Sequence, residues 1–290
     1  MNCPICSAKE ARFRFRTFHP NLPKSISYKI YKCSNCSFMF AAGQVSNEIL
    51  QQVYGNQFFG SSQQSGVDFG SNKKDMPILI NARERLAKIL SFKNHGALLD
   101  IGAGKGYFVK VAREHFNAEG IELSLAASEY AKHNRVPIIS GDFIEYDFGS
   151  KKYDVITLWD SVSSFIDPKP LFEKVYNLLN DDGVVIFTVP DESALISKIL
   201  GRFWPLIVPP INLGYYNKKS IEFLLGDAFI IQKSFHASKK ISVKFLFNKL
   251  IRALSLNKLN INLAFPDHIS MRVQTFDILT IIAAKNSIKT

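Results

Sequence analysis

Outside a single set of four, the 290-residue chain contains no cysteine, so no wider disulfide framework can exist. No apolar run approaches the ~18 residues of a membrane span, which excludes a transmembrane helix. No Gly-Lys-Ser or Gly-Lys-Thr occurs, which excludes a nucleoside-triphosphate P-loop. The start, Met1-Asn2-Cys3-Pro4, lacks a charged stretch followed by an apolar one. No secretory leader is therefore expected, and a cytoplasmic location is. Internal repeats are also missing. What remains is ordinary globular composition, with 47% hydrophobic and 21% charged residues. Disorder, collagen and coiled coil are excluded.

Acidic residues are scarce at both ends. Residues 1–47 carry seven Lys/Arg against one acid, and residues 201–290 carry thirteen against four, within a net charge of +11. Basic ends attract phosphate, anionic lipid or acidic glycan, although a Lys-rich surface without a partner has the same composition.

The four cysteines are Cys3-x2-Cys6 and Cys33-x2-Cys36. Two such knuckles can set four thiolates around a tetrahedral Zn²⁺. Two disulfides would need an oxidising compartment, and four free thiols would need no spacing. The pattern predicts a structural zinc site with no open coordination position. Between the knuckles, Arg12-Phe13-Arg14-Phe15-Arg16 alternates as a half-buried strand does, and Ser27 to Lys32 reads as a second strand. Exposed Arg beside Phe would also suit stacking on bases.

Downstream, residues 44–57 read as a helix, 55–74 as a Gly/Ser/Gln-rich loop, and Pro77 to Phe92 as a helix. Strands are then expected at Ala97–Ile101, Ala118–Glu122, Val136–Ile139, Tyr153–Trp159 and Val184–Val189, alternating with helices or turns. That alternation predicts an α/β fold with a parallel sheet. Phe229–Phe235 and Thr275–Ala284 are expected as a hairpin at the sheet edge.

The first of these strands ends in Asp100-Ile101-Gly102-Ala103-Gly104-Lys105-Gly106. Glycines there allow a tight turn and close approach to a ligand. The GxGxG spacing is one residue short of the dinucleotide fingerprint. The second strand ends in Glu122-Leu123-Ser124, where a carboxylate can accept from ribose hydroxyls. After the third comes Gly141-Asp142-Phe143, suited to an adenine amino group and ring. The fourth ends in Trp159-Asp160.

In this ordered set, DIGAGKG, IELS, GDF, YDVITLWD and LLNDDGVVIFTVP, the chain resembles the class I S-adenosylmethionine-dependent methyltransferases over about residues 76–235 plus the final strand. The resemblance implies a Rossmann-like seven-stranded, mostly parallel sheet whose last strand is antiparallel, preceded here by a small zinc-ribbon-like β module. It implies that Asp100, Gly102 and Gly104 hold the methionine moiety. Glu122 and Leu123 would hold the ribose side, Asp142 and Phe143 the adenine, and Trp159 would line the pocket beside the sulfonium. A zinc module before this fold resembles a subgroup acting on sugars and small molecules. That subgroup often has Glu-His where this chain has Ser163-Ser164, and His where it has Asn212, so proton transfer at those positions is in doubt. Some ribosomal RNA guanine methyltransferases share the zinc module only in outline.

For proton removal the candidates are Asp160, at the end of the fourth strand, and secondarily His236, His268 and Tyr215. No acid occurs between Asp227 and Asp267, where Val243, Leu246, Phe247, Leu250, Ile251 and Leu254 recur at helical spacing among lysines. A basic amphipathic helix is expected within an insert at about 239–274. It would serve as a lid, a contact to an anionic membrane surface or a grip on RNA phosphates. The expected organisation is a zinc module at 1–42, a helical linker and covering loop at 43–95, and a cofactor-binding domain at 96–290. The expected function is methyl transfer to a sugar, glycan precursor or other small-molecule acceptor. The alternatives are an RNA methyltransferase clamped by the basic ends, and a non-catalytic module that binds cofactor or a partner.

Overall fold

The computed structural model describes residues 1–54, 77–243 and 269–287. Five strands run parallel: β4 (Ala97–Ile101), β5 (Asn117–Glu122), β6 (Ile138–Ser140), β7 (Tyr153–Leu158) and β8 (Leu179–Pro190). They join β10 (Phe229–His236) and β13 (Ile278–Lys285) in one seven-stranded sheet of order β10-β13-β8-β7-β4-β5-β6. β13 is antiparallel to both neighbours. β10 and β13 do pair, but β13 lies inside the sheet and only β10 is at the edge. β6 runs two residues later than Val136, and β8 begins earlier than Val184.

Alternate residues of the central strands serve opposite faces. Leu99, Ile156 and Phe187 enter one apolar cluster, with Leu171, Phe172 and Val175 of the Pro168–Leu178 helix. Leu98, Val155 and Ile186 enter the other, with Leu86 and Ile89 of the Pro77–Ile89 helix. Both faces are covered, so the strands read as continuous apolar runs. Helix starts are locally encoded. Asp167 caps the Pro168–Leu178 helix by accepting from the Lys169 N–H at 3.0 Å. Asn217 and Ser220 form a capping box for the Lys218–Leu225 helix.

A second sheet comprises β1 (Ala11–Thr17), β2 (Tyr28–Cys33), β3 (Met39–Ala42) and β9 (Gly214–Tyr215), all antiparallel. The N-terminal strands therefore continue into the segment that follows β8. Phe38 and Tyr216 meet at 4.8 Å between ring centroids, and Lys32 pairs with Glu192 at 2.7 Å.

β11 (Lys239–Ser242) and β12 (Ser270–Val273) form an antiparallel ribbon at the base of the basic insert. Apart from Val243, the expected helix from Val243 to Leu254 lies outside the described residues, as do the loop at 55–74 and His268. Asn81 fixes the ribbon to the Pro77–Ile89 helix with two hydrogen bonds to the Lys240 backbone, at 2.8 and 2.9 Å. Arg272 adds an ion pair to Glu84 at 2.6 Å. Among the described residues, no helix is long and apolar enough to cross a membrane.

Candidate active site and cysteine cluster

The C-terminal ends of β4 to β8 converge on one edge of the sheet, where open α/β sheets bind ligands. Gly102, Gly104 and Gly106 all have left-handed φ, at 74°, 54° and 76°. The N–H groups of Gly102 and Ala103 both donate to the Ile121 carbonyl, tying the loop to β5. A Cβ on Gly102 would come within 2.7 Å of the Ser161 side chain, so this position needs glycine for both conformation and space.

Glu122 closes the same turn. Its Oε2 accepts from the Gly104 N–H and its Oε1 from the Ser124 N–H, each at 2.8 Å. Burial pushes its carboxyl up, while these backbone donors oppose the shift. Each oxygen retains acceptor capacity. Leu123 beside it is 57% exposed and offers an apolar surface.

Asp100 lies under the loop, 3% exposed, where it accepts from the Thr157 hydroxyl at 2.7 Å. Burial pushes its pKa up to about 7. Through Thr157 it ties β4 to β7. Asp142 is exposed and its Oδ1 accepts from the Ile144 N–H at 2.7 Å. Phe143 points inward against Phe148 and anchors the turn that presents Asp142.

Trp159 stands at the end of β7, edge-on to Phe108 at 5.4 Å, with the Arg85 guanidinium 4.6 Å over its ring. Asp160 has φ 59° and is held on three sides. Its backbone N–H donates to Thr188 at 2.7 Å. Arg85 pairs with its Oδ2 at 2.7 Å and Lys239 with its Oδ1 at 3.0 Å. Burial opposes its charge, but Lys239 and Arg85 outweigh that and hold the carboxyl well below the usual range. Asp160 is thus shared by two cations, and a carboxylate held so acidic accepts a proton poorly while they stay in place.

Ser163 and Asn212, the positions lacking imidazoles, meet in the structure. The Ser163 hydroxyl donates to Asn212 Oδ1 at 2.7 Å, and the Ser164 hydroxyl to the Ile211 carbonyl at 2.8 Å. These groups tie two loops together. Tyr215 is buried, with its hydroxyl on the Asn212 carbonyl at 2.9 Å. His236 at the end of β10 lies with Nε2 2.8 Å from Oδ2 of the buried Asp191, just past β8.

Arg85, Lys239 and Asp191 were not legible as site residues. Their partners lie 75, 79 and 45 residues away in sequence.

The cysteine Sγ atoms all lie within 4.8 Å of one another. Cys3–Cys36 and Cys6–Cys33 are each 3.5 Å apart, and all four are free thiols. A tetrahedral site with Zn–S near 2.3 Å has sulfurs about 3.8 Å apart. Burial raises the Cys33 thiol, and the contact with Cys3 raises Cys36. Four sulfurs this close form a donor set that, once deprotonated, suits zinc.

A protein-family model described as a methyltransferase domain matches residues 73–228. An uncharacterized protein of Methanocaldococcus jannaschii is 30% identical over 135 residues, 45% of this chain and 52% of that protein. The sarcosine/dimethylglycine N-methyltransferase of Aphanothece halophytica is 26% identical over 133 residues, 41% of this chain and 48% of that one. The chain thus spans about half the length of the curated relatives it matches. Magnesium protoporphyrin IX methyltransferase from Synechocystis PCC 6803, solved with bound SAH, superimposes with a TM-score of 0.55 at 14% identity. That match covers 83% of this chain and 100% of the other, and it shows a shared fold. The sheet order, the ordered strand-end loops and the family match together establish that the chain belongs to the methyltransferase-domain family, with the class I S-adenosylmethionine-dependent fold its motifs predicted.

Proposed function

We propose that the protein is an S-adenosylmethionine-dependent methyltransferase acting on a sugar, glycan precursor or other small-molecule acceptor. In this reading residues 1–42 form a structural zinc module held by Cys3, Cys6, Cys33 and Cys36. Residues 43–95 cover the cofactor site, and 96–290 form the catalytic domain. The observation that carries the reading is Glu122, whose carboxylate both braces the glycine turn and ends β5. Its remaining lone pairs receive the ribose hydroxyls. Leu123 lines the sugar side, Asp142 accepts from the adenine amino group, and Gly102 and Gly104 admit the methionine moiety. The bound cofactor supplies an activated methyl group for in-line displacement. The chain's own task is alignment, which can supply much of the acceleration.

A hydroxyl acceptor must also lose its proton. His236 is a candidate base: Asp191 Oδ2 lies 2.8 Å from its Nε2, which leaves Nδ1 for an acceptor. Asp160 keeps Arg85 and Lys239 in place beside Trp159. Calorimetric titration with S-adenosylhomocysteine tests the reading. Saturable binding at one site per chain is expected, and absence of binding to folded protein would overturn it.

A further inference from the structure

Two neighbouring carboxylates just past β8 have partners in different parts of the molecule. Asp191 and Glu192 are both buried, 4% and 9% exposed. Asp191 serves the main sheet, where its Oδ2 lies 2.8 Å from Nε2 of His236. β10 runs in the direction of β8, since both are antiparallel to β13 between them. His236 pairs with Leu279 and Leu279 with Val189, so the imidazole stands at the C-terminal end of the strands. That is the edge where open α/β sheets bind ligands.

Glu192 is held from the cysteine module. Its Oε2 accepts from the Lys32 ammonium at 2.7 Å, and its Oε1 from Asn217 Nδ2 at 2.6 Å. The same Nδ2 also donates to the Ser37 carbonyl at 3.1 Å. Lys32 precedes Cys33 and Ser37 follows Cys36. Both ends of the second knuckle are therefore tied to one carboxylate, directly or through Asn217. The backbone is fixed as well: the Glu192 N–H donates to the Tyr216 carbonyl and the Asp191 N–H to the Asp277 carbonyl, each at 2.8 Å. Asp191 Oδ1 accepts from the Ser193 N–H at 2.9 Å, which leaves Oδ2 for His236. A buried carboxylate stripped of its cation must move toward water or take up a proton. Either change would fall one residue from the group that holds His236.

We propose that Glu192 is a positioning residue for methyl transfer, through which the second cysteine knuckle sets the placement of the Asp191–His236 pair. Lys32 and Asn217 supply the fixed end of this clamp, and Asp191 the working end. An imidazole held by a carboxylate at one ring nitrogen keeps one tautomer and presents the other nitrogen. A displacement of about 1 Å at such a group can cost about 10²-fold in rate. The inference rests on the reading of His236 as the base and adds how that base is held. It gives the cysteine module a task in catalysis.

Histidine ring nitrogens give the test its readout. Full-length protein with ¹⁵N-labelled histidine carries six imidazoles, and His236→Gln identifies the signals of His236. At alkaline pH, where free imidazoles are neutral, His236 is expected to be protonated at Nε2 and bare at Nδ1. Lys32→Met and Glu192→Gln should each move those signals toward a mixture of tautomers, with the exposed His133 unmoved. Lys32→Arg should restore the wild-type pattern, because a guanidinium offers the same carboxylate a fixed charge. S-adenosylhomocysteine affinity should be unchanged in all three variants, because Glu122 and Asp142 follow β5 and β6, on the far side of β7. Transfer of labelled methyl groups from S-adenosylmethionine to a cell extract should fall about tenfold or more in Lys32→Met, as misplacement of a proton-removing group does. Unmoved His236 signals in the folded variants, or moved signals with undiminished transfer, overturn the clamp. Transfer at the wild-type rate by His236→Gln sinks the base assignment and the catalytic role of the clamp with it. Transfer that depends on His236, with signals unmoved in the clamp variants, sinks the clamp alone.

Discussion

Glu122 holds two backbone N–H groups with one carboxylate and keeps further lone pairs toward the sheet edge. Glu122→Ala is expected to weaken S-adenosylhomocysteine binding by about 1–3 kcal/mol, the usual cost of losing a charged acceptor. Unchanged affinity by calorimetry would refute the ribose assignment. Asp100 behaves differently. Its carboxyl rises from an ordinary 3.8 to about 7 because it is buried. Between those values the folded chain binds more protons than the unfolded one, so stability falls as pH rises through that window. Urea unfolding between pH 4 and 7 should show this fall, and Asp100→Asn should flatten it while keeping an acceptor for Thr157. An equal slope in the variant would place the titration elsewhere.

At the scale of elements, the glycine turn works because β4, β5 and the loop after β7 crowd it from three sides. Gly102→Ala forces a left-handed alanine against Ser161, so cofactor affinity is expected to fall about tenfold or more, with strain of order 1–3 kcal/mol. Wild-type affinity in a folded variant would show that the turn relaxes freely. The strands and this turn were legible in the sequence because their signals are local: apolar runs, glycines and a carboxylate at each strand end. The pairings Arg85 with Asp160, His236 with Asp191 and Ser163 with Asn212 were not, since each joins distant segments whose meeting depends on sheet order. The ribbon at the base of the basic insert was not legible either, because Asn81 and Glu84, which fix it, belong to another element.

At the scale of the whole molecule, β3 pairs with β9, so the cysteine module shares a sheet with the segment that follows β8. A zinc ion in the module would stabilise both, because metal binding is coupled to folding. Protein purified under reducing conditions should contain about one zinc per chain, and chelation should lower Tm and speed hydrogen exchange at Gly214 and Tyr215. Fully folded protein that never held metal would sink the zinc proposal. The clustered position of the four sulfurs was legible from their spacing; the docking of β3 on β9 had no signal in either segment.

Incubation of the protein with methyl-labelled S-adenosylmethionine and an extract of the source cells, followed by fractionation of the label, tests the central claim most directly. Label is predicted in a nuclease-resistant pool of small or glycan-precursor molecules. Label that disappears with ribonuclease, or no transfer by protein that binds the cofactor, would contradict it.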